Sequence, residues 1–98
     1  MSKAYISEYA AMPQQQGNLK MITPEPPVAS QTVTFTTSTQ SVAFNAKTKW
    51  ARIHVASIAS YLVGANPTAT TDNARMVAGQ TEYIEVNAGD KIAFVDNT

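Results

Sequence analysis

The chain has no cysteine, which excludes disulfide staples, thiolate metal sites and cysteine nucleophiles. Histidine occurs once, at His54, and one imidazole makes neither a metal centre nor a catalytic pair unless the fold brings carboxylates to it. Charge is scarce: 14% of residues, with seven Lys and Arg balancing seven Asp and Glu. A net charge of zero without a basic cluster cannot displace counterions from a phosphate backbone, so nucleic acid is not an expected partner. The same neutrality removes the repulsion that keeps small proteins apart, and so favours association. No apolar run approaches the roughly 20 residues that span a bilayer. The opening Met1-Ser2-Lys3-Ala4-Tyr5 lacks the apolar core of a signal peptide. Synthesis and first use inside a cell, away from membranes, are expected.

What is present is β-forming. A length of 98 residues allows one small domain, and a hydrophobic fraction of 44% is that of a globular chain. From residue 31 onward the pattern has period two. In Thr32-Val33-Thr34-Phe35-Thr36-Thr37, Val33 and Phe35 point one way and threonines the other. Ser38-Thr39 reads as a turn before a short strand at Val42-Ala43-Phe44. Lys47 to Val55 sets Ala51, Ile53 and Val55 against Trp50, Arg52 and His54. Ile58 to Val63 is apolar on both faces, which places it centrally or against a second surface. The longest loop, 64–73, then leads through 75–79 to Thr81–Val86, with Ile84 and Val86 inward and Tyr83 and Glu85 outward. Gly89 supplies a positive-φ turn before a last strand, Lys91 to Val95. The expectation is an all-β body over 31–98: a small antiparallel sandwich or barrel, jelly-roll-like, of six to seven short strands.

Residues 1–30 read as an extended N-terminal arm with a Pro-rich linker. Tyr5, Ser7 and Tyr9 would share one face of an extended segment and Ile6, Glu8 and Ala10 the other. A short helix stacking Tyr5 on Tyr9, and a frayed end, are the alternatives. Leu19, Met21 and Ile22 form a brief apolar patch, and Pro24, Pro26 and Pro27 impose a semi-rigid spacer. The PxxP spacing there is better explained as linker than as a peptide ligand.

No pattern supports catalysis. No serine lies in a Gly-flanked elbow, Glu82 and Glu85 fall on opposite strand faces, and the four glycines are too scattered to cradle a phosphate. A non-enzyme without a cofactor is expected. Trp50, Arg52, His54 and Tyr83 are residue types that carry interface energy, although Trp50 would equally cap a sheet edge. The arm side of such an interface would be Tyr5, Ile6, Tyr9, Leu19, Met21 and Ile22. A body of about 65 residues buries only about 60% of its unfolded surface. Homo-oligomerisation would supply the missing burial.

Three segments carry a resemblance: Gly64-Ala65-Asn66-Pro67-Thr68-Ala69-Thr70, then Arg75-Met76-Val77-Ala78-Gly79-Gln80-Thr81-Glu82-Tyr83, then Val86-Asn87-Ala88-Gly89-Asp90-Lys91-Ile92. Together with the opening Ala4-Tyr5-Ile6-Ser7-Glu8-Tyr9, they make the chain similar to small virion structural proteins of tailed bacteriophages. The resemblance implies a capsid decoration (cement) role, with the major capsid protein and copies of itself as partners. It also implies assembly in the host cytoplasm and a place on the virion's capsid surface. It assigns no site residue. A receptor- or carbohydrate-binding module using Trp50, Tyr61 and Tyr83 is the alternative, as is a tail or head-to-tail joint component.

Overall fold

A computed structural model describes residues 2–10, 14–15, 18–19 and 27–97. No helix occurs among them. The strands in chain order are β1 (Ser2–Tyr9), β2 (Gln14–Gln15), β3 (Asn18–Leu19), β4 (Ala29–Phe35), β5 (Thr39–Gln40), β6 (Trp50–Val55), β7 (Ala59–Gly64), β8 (Ala74–Met76), β9 (Thr81–Glu85) and β10 (Lys91–Asp96). β2 and β3 pair with each other, and the other eight form two antiparallel sheets of four, ordered β4-β1-β6-β9 and β5-β10-β7-β8.

Six to seven strands were expected and the two sheets hold eight. The additional one is β1, which lies inside the first sheet and bonds to β4 on one side and β6 on the other. Residues 2–9, read from the sequence as part of an extended arm, thus lie as a strand within the first sheet. The alternation read from the sequence explains why. Ala4 and Ile6 point into the core, at 0% and 1% exposure, while Tyr5 points out. Glu8 occupies the third inward position, a carboxyl where a buried strand ordinarily carries an apolar side chain. Its oxygens are satisfied locally: Oε1 accepts the Asn45 N–H at 2.8 Å and the Thr48 hydroxyl at 2.8 Å, and Oε2 accepts from Gln31 Nε2 at 3.4 Å. Burying an acid is tolerable only with such partners.

A second correction concerns residues 38–44. The expected turn at 38–39 contains the start of β5, and the expected strand at Val42–Phe44 is not a strand. This stretch still follows β10, through Ser41 N–H to Ile92 C=O and Phe44 N–H to Asp90 C=O, both at 2.8 Å. The register slips between those bonds, so Phe44 turns into the core while Val42 remains exposed.

One apolar cluster draws on both sheets: Ile6, Val33, Phe35, Ile53 and Val55 from the first, with Met76, Ile92 and Phe94 from the second. Phe35 stacks on Phe94 with centroids 5.5 Å apart, joining the two. Each such side chain contributes roughly 1.5–3 kcal/mol on burial. β7 is interior in its sheet, the first of the two placements that two-sided apolarity allows. Gly79 and Gly89 have φ of 82° and 86°, and each sits in the tight turn before a strand.

The two sheets are stitched along one side. Gln31 on edge strand β4 accepts the Val42 N–H at 2.9 Å and donates to the Val42 C=O at 3.2 Å, and Asp96 N–H donates to Thr36 C=O at 3.2 Å. Ser2 also donates its hydroxyl to Asp96.

Candidate functional site

The pleat of β1, β6 and β9 turns alternate side chains away from the core, and the strand register sorts them into rows. Tyr5 lies opposite His54 and His54 opposite Thr81. Ser7 lies opposite Arg52 and Arg52 opposite Tyr83, while Tyr9 faces Trp50 and Trp50 faces Glu85. The first two rows frame a shallow depression of about 350 Å³ lined by Tyr5, Ser7, Arg52, His54, Thr81 and Tyr83.

Tyr5 and Tyr83 form its walls, 46% and 61% exposed. The rings of Tyr5 and His54 lie 6.3 Å apart and tilted at 44°. His54 Nδ1 is 2.8 Å from Thr81 Oγ1, the direction of donation following the tautomer. That bond holds the ring through Nδ1, on the side of Thr81. Among the described residues Arg52 has no ion-pair partner, so its guanidinium donors remain available on the face. The depression contains cationic and neutral donors, hydroxyls and aromatic surface, and no carboxyl.

Of the expected body residues, Arg52, His54 and Tyr83 are brought together here. Trp50 is not at the surface: it is 4% exposed, stacked on Tyr9 at 4.4 Å and 5.9 Å from the Tyr83 ring. Of the expected arm residues, Tyr5 joins the depression, whereas Ile6 is core and Tyr9 is 1% exposed under the Trp50 stack. Leu19 is described only as part of β3, and Met21 and Ile22 lie outside the described residues. Tyr61 belongs to the other sheet, half-buried with its ring 6.3 Å from Phe94. Burial, and secondarily the nearby Glu82, raise its hydroxyl pKa above 10.0. Trp50, Tyr61 and Tyr83 therefore do not make one stacking platform.

Sequence periodicity singles out neither Ser7 nor Thr81, and it places Tyr5 on an arm. Their alternation was visible, but the pairing of residues 2–9 with residues 50–55 was not. Among the described residues, no group of three or more His, Asp or Glu is gathered as metal ligands would be. Comparison with protein-family models, curated proteins and solved structures finds no match to this chain.

Proposed function

We propose that this chain is a non-enzymatic virion structural protein of a tailed bacteriophage, a capsid decoration protein whose two sheets stack as a small sandwich. The outer face of β1, β6 and β9 docks on the major capsid protein at the virion surface. The observation that carries the reading is the gathering of Tyr5, Arg52, His54 and Tyr83 on one open face. Tyr and Arg dominate protein–protein hot spots because they offer large contact area together with donors. A face with cationic donors and no carboxyl complements a capsid surface that presents carboxylates. The motif resemblance at 64–70, 75–83 and 86–92 supplies the virion context. Many weak copies on a repeating shell bind by multivalency, which suits a small protein of zero net charge.

Sedimentation with purified heads, tails and whole particles tests this. Binding to heads supports decoration. Binding confined to tails or to the head-to-tail joint moves the protein there, and no binding to any particle removes the virion reading.

One observation favours a second reading. A polar depression walled by two tyrosines also fits a sugar ring stacked on an aromatic face, as in a receptor-binding module. Binding to a glycan array that Tyr5→Ala abolishes would select it.

A further inference from the structure

Among the described residues, β9 presents an unpaired strand edge. Edge strand β4 is crossed by the chain itself, through the Gln31 amide on Val42 and the Thr36 carbonyl on Asp96. Edge strands β5 and β8 have only two and three residues. β9 has five, and among the described residues no strand pairs with its outer side.

The register states which backbone groups are free. Val86 N–H donates to Lys49 C=O at 3.1 Å, and the pairs Ala51–Ile84 and Ile53–Glu82 continue that ladder in alternation. The amides and carbonyls of Glu82 and Ile84 thus face β6. Those of Thr81, Tyr83 and Glu85 face outward, and among the described residues no strand receives them.

We propose that this edge pairs with the β9 edge of a second copy, antiparallel about a two-fold axis beside Tyr83. The sequence of the strand is self-complementary in that register. Tyr83 meets the second copy's Tyr83, Thr81 meets its Glu85, and Glu82 meets its Ile84. No two like charges stand directly opposite, and the central pair is aromatic, a favourable cross-strand combination. Each outward-facing pair exchanges two main-chain hydrogen bonds. The interface is isologous, so it closes at a dimer instead of running on into a fibre. It joins the two four-stranded sheets into one and sets both Tyr5–Arg52–His54 depressions side by side on the same face. The pairing needs only the β9 edge and holds whether or not the face docks on a capsid.

The experiment uses the full chain, whose lack of cysteine makes single substitutions clean reporters. Light scattering of the unmodified protein is expected to give twice the mass of one chain. Directly opposed residues in a hydrogen-bonded pair lie about 5.5 Å apart at Cα, within disulfide reach. Tyr83→Cys should therefore cross-link to completion on mild oxidation. Thr81→Cys alone should not, but mixed with Glu85→Cys it should. All three side chains are exposed, so the substitutions leave the core untouched. A single-chain mass at every soluble concentration overturns the pairing, as does a dimer that cross-links with a different pattern. A protein of single-chain mass that still sediments with heads would overturn the dimer and leave the docking reading standing.

Discussion

Tyr9 stacks on Trp50 with ring centroids 4.4 Å apart and planes 19° apart, and both rings are buried although their strands turn them away from the core. The pair secures the ends of two adjacent strands, so its chief contribution is to stability. Trp50→Ala should cost about 3–5 kcal/mol, the range for removing a large buried aromatic. Chemical denaturation measures it. Because Trp50 is the chain's sole tryptophan, its emission should be blue-shifted and poorly quenched by acrylamide in the free protein.

Glu8 joins β1 to the 45–48 turn through two 2.8 Å hydrogen bonds. Glu8→Ala leaves the Asn45 N–H and the Thr48 hydroxyl without an acceptor at a site 2% exposed, which should cost at least about 2 kcal/mol. Glu8→Gln keeps an oxygen in the same place and should lose less. Denaturation midpoints of the two variants should fall in that order.

A chain starting at residue 31 should not fold. It lacks the strand between β4 and β6, which exposes the Val33, Ile53 and Val55 surface and leaves both ladders unpaired. Loss of cooperative unfolding and of dispersed amide resonances is the expected result.

These outcomes reflect what the sequence made legible. Val33 and Phe35, Ile53 and Val55, and Ile84 announced β4, β6 and β9 because each strand sends its alternating aliphatic and Phe side chains to one side, the core. Ile58 to Val63, apolar on both faces, allowed either an interior place in the sheet or cover by a second surface, and β7 takes the first. Gly89 marked its turn because few other residues accept positive φ. β1 was legible as an extended segment but not as a sheet member, because Glu8 stands at an inward position and its partners, Asn45 and Thr48, are remote in sequence. The depression was half legible: Arg52, His54 and Tyr83 share outward positions on neighbouring strands. Tyr5 and Ser7 depend on β1 lying against β6, a nonlocal pairing that periodicity does not encode.

Alkaline pH offers a test of the second sheet. Burial and Glu82 raise the Tyr61 hydroxyl above its ordinary pKa of 10.0. A group whose folded pKa is raised holds its proton more tightly when folded, so its share of stability is complete below pH 10 and is lost as pH climbs through the folded value. Stability should therefore decline above pH 10, and Tyr61→Phe should flatten the part of that decline due to this residue. Unfolding free energies of the two proteins across pH 9–11.5 supply the comparison.

Docking through the sheet face is tested most directly with the double substitution Tyr5→Ala and Arg52→Ala. Both side chains point away from the core and neither contributes to the β9 edge, so stability should change little. Sedimentation with purified phage heads should fall at least tenfold relative to the unmodified protein. Undiminished sedimentation of a folded double variant would contradict a capsid-docking role for this face.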